Sequence, residues 1–322
     1  MNKKHLFKRL LNIVPMLFFI SFISFLLINL APGDPVQAYI TPKMNYKEIL
    51  RIKHNMGLDK PIIIRYFYWL GNTLKGDLGY SMITHQKVSL EIGSRIGPTL
   101  ILMGTSMIIS LIVSIFLGIY VATHRDKLLD RIITFISYIG ISIPSFWFGM
   151  ILITTFSLKL KLLPSIGMHT IGIENSVFDV LKHMILPCSV LAFPNIAVLT
   201  RYVRSGIIGQ LEEDYVETAL SKGVSKRKVV LNHVLKNSLL PLITILCMSL
   251  PDIFTGAFIT ESIFGWPGMG RLGLSSINSL DYPIIMAITM LSSVLLIFGN
   301  LIADILYYVV DPRIRVVNDL NG

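Results

Sequence analysis

Six apolar stretches of membrane-crossing length constrain this chain before any motif is read. They cover about residues 10–30, 99–122, 132–157, 185–203, 239–263 and 284–310 and carry almost no charge. At ~1.5 Å of rise per residue, each can cross a hydrocarbon core of ~30 Å as a helix. Lipid offers the backbone no hydrogen-bond partners, so a spanning segment must satisfy its own N–H and C=O groups. The chain is therefore read as an all-α membrane protein with six spans. Its 53% hydrophobic content and mean hydropathy of +0.66 exclude an ordinary soluble domain. The net charge of +10 is assigned to basic loops on one membrane face and not to nucleic-acid binding. Cys188 and Cys247 both lie inside apolar runs and read as small buried hydrophobes, with neither a disulfide nor a metal site implied.

The spans divide the chain. Residues 1–30 are a short tail and a first span, which Lys3, Lys4, Lys8 and Arg9 precede. That charge order also fits a signal peptide, but the run is longer than a usual signal core and no small-x-small cleavage site follows it. Residues 31–98 open with the turn Ala31-Pro32-Gly33-Asp34-Pro35 and hold the aromatic group Tyr66, Phe67, Tyr68 and Trp69. They are read as a small folded insert outside the membrane. Residues 99–310 form a five-helix core that contains the loop 201–238, and 311–322 are a tail. Lys and Arg number 16 in the two tails and the loops 123–131 and 201–238, against 4 in the short opposite loops. By the positive-inside rule both termini and the loop 201–238 are cytoplasmic.

Few residues within the spans have chemistry to offer. Ser106, Ser110, Ser114, Gly118 and Ala122 recur every four residues, a stripe along which another helix can approach closely. Asp252 follows Pro251, where the proline is expected to interrupt the fifth span. Asp304 lies four residues after Asn300 in the sixth. An ionisable group at membrane depth faces a cavity or a partner. Asp252, Pro251 and Asn195 are the candidates for a solute path, and a helix contact is the preferred reading for Asp304. Pro187 and Pro194 point to a bent fourth span. Gly268-Met269-Gly270-Arg271-Leu272-Gly273 matches a dinucleotide-binding pattern, but no strand precedes it, and it is read as a rigid turn between the fifth and sixth spans. No phosphate-binding loop of the G-x-x-x-x-G-K-[ST] type occurs, so the chain cannot hold ATP by that route. No catalytic constellation or metal-ligand spacing appears, and external residues such as Met82 and His85 are too sparse to argue for one.

The most charged stretch is 212–241. It reads as two short helices parted at Gly223. Glu212, Glu213 and Asp214 occupy the first turn of the first helix, Ser225 is the N-cap of the second, and Pro241 marks the next boundary. Val230, Leu231, Val234, Leu235 and Ser238 make an apolar face at helical spacing. Lys226, Arg227 and Lys228 start the second helix with the wrong sign for its dipole. Lipid phosphate or an acidic protein surface would compensate them, and a solvated juxtamembrane loop is the bland alternative.

This stretch resembles the "EAA" loop of ABC importer permeases. Glu217-Thr218-Ala219 and Gly223 match, with Thr218 in place of the middle alanine and Leu240-Pro241 later than the general pattern expects. Further pieces resemble the dipeptide/oligopeptide/nickel branch. They are Pro32-Gly33-Asp34-Pro35, Gly57-Leu58-Asp59-Lys60-Pro61, Gly76-Asp77-Leu78-Gly79, Phe264-Gly265-Trp266-Pro267-Gly268, Asp281-Tyr282-Pro283 and Asp311-Pro312-Arg313. The resemblance implies the type I (MetI-like) importer fold of six transmembrane helices, with the extracytoplasmic insert between helices 1 and 2. It implies a transport subunit without its own ATPase site, paired with a homologous second permease. Two cytoplasmic ABC ATPases would carry ATP and Mg, and an extracytoplasmic binding protein would deliver solute. Tyr215, Glu217, Thr218, Ala219, Gly223, Lys226, Arg227 and Lys228 would then form the ATPase-coupling element. The solute is read as di- or oligopeptide, with nickel or a metal chelate as the alternative. An ion-coupled secondary transporter using Asp252 and Asp304 is the reading from another class.

Overall fold

A computed structural model of the chain describes residues 3–30, 45–47, 59–173, 176–239, 242, 245–246 and 248–310. Among these residues the secondary structure is helical, apart from a single bridge between Tyr80 and Lys87. Among the described residues four helices are long and apolar enough to cross a membrane. They are α1 (Lys3–Leu30), α3 (Val88–Thr123), α6 (Val177–Leu211) and α13 (Tyr282–Val310). A shorter α2 (Ile62–Leu74) packs beside α1 and buries Tyr66 among Phe18, Phe22 and Phe25.

The expected span 132–157 is not one rod. It is α4 (Leu128–Ser142) and α5 (Ser145–Leu152), the latter running on as a π-helical stretch Ile153–Lys159, and the pair is bent by 103°. Pro144 is the physical cause. It has no N–H to give and pushes Ile143 before it into extended backbone, at φ −73° and ψ 125°.

The expected span 239–263 also departs from a single rod, and five of its residues (240, 241, 243, 244 and 247) lie outside the described set. Its second half is α10 (Leu250–Thr255) and α11 (Phe258–Ile263). Pro251 does not break it. The proline sits in the first turn of α10, where a missing N–H costs nothing. The break falls at Gly256, at φ +79°. The expected turn at 268–273 is instead the start of helix α12 (Met269–Asn278), with Gly268 at its N-cap. Other helices outrun their apolar runs. α3 begins at Val88 and carries Pro98 inside it, and α6 continues through both Pro187 and Pro194.

The centre of the bundle is the seam between α3 and α6. Ser106, Ser110, Ser114, Gly118 and Ala122 are all buried along it. The Ser110 hydroxyl donates to the Ala192 carbonyl across the seam at 3.3 Å. A Cβ added to Gly118 would come within 2.5 Å of the Val203 side chain. Gly118→Ala is therefore expected to cost about 1–3 kcal/mol through overpacking. Gly104→Ala on the same helix, with nothing within 4 Å of its added Cβ, is expected to be neutral or slightly stabilising. Thermal unfolding of the purified protein checks the contrast, and equal midpoints would sink the close-approach argument.

Candidate functional site: a charged hairpin on the central helices

α6 ends at Leu211, and the chain folds into α7 (Asp214–Ser221), a turn, and α8 (Lys226–Val229). α8 continues as a π-helical stretch Val230–Val234 and then as α9 (Leu235–Ser238). Glu213 is the N-cap of α7, so the acidic first turn holds Asp214 and Glu217 and excludes Glu212 and Glu213. Both carboxylates lie where the dipole favours negative charge.

The turn is closed by two backbone bonds. The Gly223 N–H donates to the Leu220 carbonyl at 2.9 Å, and the Val224 N–H reaches back to Ala219 at 3.2 Å. This is the Schellman arrangement, and it places Gly223 at φ +80°. Ala219 and Val224 complete it by packing against the same apolar cluster. Ser225 is extended at the head of α8, and its side chain makes no capping bond.

The hairpin has two unlike faces. Val216, Val229 and Val234 are buried in one cluster with Ala122 of α3 and with Leu199, Val203 and Ile207 of α6. The hairpin is thereby tied directly to the two central helices. The apolar face of α8 differs from the expected one. Val229, Val230, Val234 and Ser238 are buried, Leu235 is half-buried, and Leu231 is 43% exposed. The π-helical stretch adds a residue to the turn and shifts the face by one position.

The other face is polar and open. Glu217 and Thr218 are exposed there beside Asp214, Ser221 and Lys222, around a shallow depression of about 460 Å³. Tyr215 is half-buried, and its hydroxyl donates to Gln210 Oε1 at 2.8 Å. Lys226, Arg227 and Lys228 are exposed, and among the described residues none has an acidic partner. Arg125, from the turn after α3, reaches Glu212 at 3.3 Å.

The residues considered for a solute path lie on different helices. Asp252 is exposed on α10, Pro251 precedes it, and Asn195 is exposed on α6 with its amide bonded to the Leu191 carbonyl. Asp304 lies on α13, and its side chain is outside the described residues.

Sequence reasoning missed two buried charge sites. Asp130 of α4 is 4% exposed and takes two bonds from Arg204 of α6, at 2.9 and 2.8 Å. Glu261 of α11 is fully buried. Its carboxylate accepts from the Thr99 hydroxyl at 3.0 Å and the Arg271 N–H at 3.1 Å, while Thr99 accepts from the Met269 N–H at 2.7 Å. The glycines make room for it. A Cβ on Gly268 would lie 2.4 Å from Glu261 Oε2 and from Thr99 Oγ1. Nearby, the Trp266 indole donates to the Pro98 carbonyl at 2.9 Å. A carboxylate inside an apolar run was the available signal, and it applied to Glu261 as much as to Asp252. Gly268→Ala is expected to lower stability by about 1–3 kcal/mol, because the intruding methyl displaces the donors of a buried carboxylate. Gly97→Ala, which meets nothing within 4 Å, is the control. Matching thermal midpoints for the two variants would refute the cage.

A bundle of membrane-length helices, with a polar hairpin rooted in its two central members, is a multi-pass membrane protein. The chain belongs to the family of binding-protein-dependent transport system inner membrane components: residues 114–316 match that family's model, and residues 2–103 match the model of its N-terminal part. It is a permease subunit of an ABC importer. It is similar to the oligopeptide transport system permease protein AppB of Bacillus subtilis (strain 168), at 42% identity over 97% of this chain and 99% of that protein. It is also similar to the glutathione transport system permease protein GsiC of Escherichia coli (strain K12), at 37% identity over 97% of this chain and 98% of that one. Among solved structures, the MetNI methionine ABC transporter in an inward-facing conformation shares the fold. The TM-score is 0.51 at 14% identity, over 67% of this chain and 96% of that one.

Proposed function

We propose that this chain forms one half of the translocation path of an ATP-driven importer of di- and oligopeptides. A homologous second permease supplies the other half. Two cytoplasmic ABC ATPases hold the ATP and Mg, this chain binds no cofactor of its own, and an extracytoplasmic binding protein hands over the solute. The four long helices, the bent pair α4–α5 and the segment 239–263 make six crossings, with both termini and the hairpin in the cytoplasm. The observation that carries this reading is the two-faced hairpin. Its apolar underside is fused to α3 and α6. Its outer face presents three cations, unpartnered among the described residues, at the start of a helix whose dipole they oppose.

Acidic groups on an ATPase would satisfy those cations, and Tyr215, Glu217, Thr218 and Ala219 would shape the docking face. Movement of the ATPases then reaches the spans as a rigid-body shift, which opens the path to alternate sides. The oligopeptide and glutathione relatives support a peptide solute over nickel or a metal chelate. The test is uptake by the assembled importer in proteoliposomes. Uptake is expected to stop with a hydrolysis-deficient ATPase and to persist when ion gradients are collapsed. The reverse pattern would replace this reading with ion-coupled secondary transport. Asp252→Ala is expected to lower uptake several-fold with protein abundance unchanged. An equal fall in abundance would make Asp252 structural.

A further inference from the structure

A cavity of about 630 Å³ opens between α4 and α6, and Tyr138, Ile141, Val198, Arg201, Tyr202 and Ser205, none of which lines the hairpin's depression, are among its lining. Two arginines meet there with different electrostatic standing. Arg204 is neutralised, because its Nε and one terminal nitrogen are bonded to the Asp130 carboxylate. Arg201 is not. Its guanidinium lies 4.9 Å from the centre of the Tyr138 ring, and among the described residues no carboxylate pairs with it. The cavity therefore holds one positive charge without a carboxylate partner among the described residues, and the hydroxyl-bearing Tyr138, Tyr202 and Ser205 are part of its lining. An anion with several oxygen acceptors is the ligand such a lining accommodates.

Depth identifies the source of the anion. α6 has 35 residues, so it is longer than a ~30 Å core by roughly 20 Å. Centred on the core, its apolar passage ends near residue 204. Arg201 lies ten residues before the end of α6 at Leu211 and Tyr138 ten residues after the start of α4 at Leu128, each about 15 Å along its helix axis. On the cytoplasmic orientation proposed above, on which this inference rests, the cavity sits at the boundary between acyl chains and headgroups of the inner leaflet. Anionic lipids reside there and basic pockets between transmembrane helices collect them. We infer that this cavity binds the phosphate of an anionic phospholipid of the cytoplasmic leaflet, held by Arg201 and the surrounding hydroxyls, with Ile141 and Val198 meeting the first carbons of its chains. A lipid seated there bridges α4 and α6, the two helices that the Asp130–Arg204 pair already joins.

The test is lipid retention by the intact importer complex. The complex is purified in detergent, exposed to equal phosphatidylglycerol and phosphatidylcholine, and weighed by native mass spectrometry. The wild type is expected to keep phosphatidylglycerol at several times the level of phosphatidylcholine. Arg201→Gln should lose most of that excess and Tyr202→Phe part of it. Arg131→Gln, an exposed cation on α4 outside the cavity, should retain it. Equal retention of the two lipids by the wild type, or an equal loss in Arg131→Gln, overturns the inference. So does an Arg201→Gln complex that keeps its phosphatidylglycerol but loses its preference for peptides with a free over an amidated C-terminus, since the cavity would then be a solute carboxylate site. Failure of the importer reading shows separately, as absent ATP-driven uptake by the wild type, and leaves the lipid measurement standing.

Discussion

Gly223→Pro is expected to abolish ATP-driven uptake while leaving the chain in the membrane. Gly223 stands at φ +80°, a conformation proline cannot adopt, because its ring holds φ near −65°. Proline also removes the N–H that donates to Leu220 and pushes Lys222, now at φ −78° and ψ 5°, out of its helical conformation. The Schellman closure is lost at both bonds, and α7 and α8 can no longer turn back on each other. The underside survives, since Val216, Val229 and Val234 still have apolar surface to bury against α3 and α6. The lesion is therefore one of shape at the docking face. Gly223→Ala isolates the backbone term. Nothing lies within 4 Å of an added Cβ, so alanine adds only the strain of a left-handed conformation, about 1–2 kcal/mol. It should keep part of the uptake. Uptake, membrane abundance and co-purification of the ATPases are measured together. Wild-type uptake in the proline variant would remove the hairpin from the coupling path, and loss of the protein from the membrane would show Gly223 to be a folding residue.

The hairpin was legible because its signals are local. A glycine at the end of a short helix, an extended Ser225 and an adjacent cation triplet all lie within a few residues of each other, and backbone preference alone reads them. The apolar runs were legible for the same reason, since membrane partitioning depends on composition. What failed were the positions where two local rules compete. Pro251 was expected to break its helix, yet a proline in the first turn is compatible with one, and Gly256 with its positive φ makes the break. Pro144 sits inside a run long enough for one span, yet the run bends there by 103°. A regular helical period puts Leu231 on the buried face, but the π-helical stretch turns it outward. The polar pins lay beyond any local rule. Asp130 and Arg204 are 74 residues apart and Thr99 and Glu261 are 162 apart. A carboxylate in an apolar setting announces that it has a partner, but which partner is decided by packing.

The Asp130–Arg204 pair makes the other large prediction, and the two partners should not behave alike. Asp130 is 4% exposed, whereas 29% of the Arg204 side chain reaches the surface. Removing the arginine strands a buried carboxylate. Breaking such a pair costs about 3–5 kcal/mol, and the Asp126 N–H and Thr134 hydroxyl that still serve Asp130 put Arg204→Leu near the lower end. Removing the acid leaves a long, flexible cation that can extend towards headgroups and water, so Asp130→Asn should cost clearly less, about 1–2 kcal/mol. The double variant Asp130→Asn with Arg204→Leu leaves no stranded charge and is expected to recover most of the loss from Arg204→Leu alone, a coupling that a double-mutant cycle on thermal stability would measure. Additive losses would show that the two side chains act independently. Equal losses in the single variants would show that water reaches both groups alike. The predicted order, with the arginine variant worse, the acid variant milder and the double variant partly restored, requires a carboxylate held in a dry site between α4 and α6 by one cation.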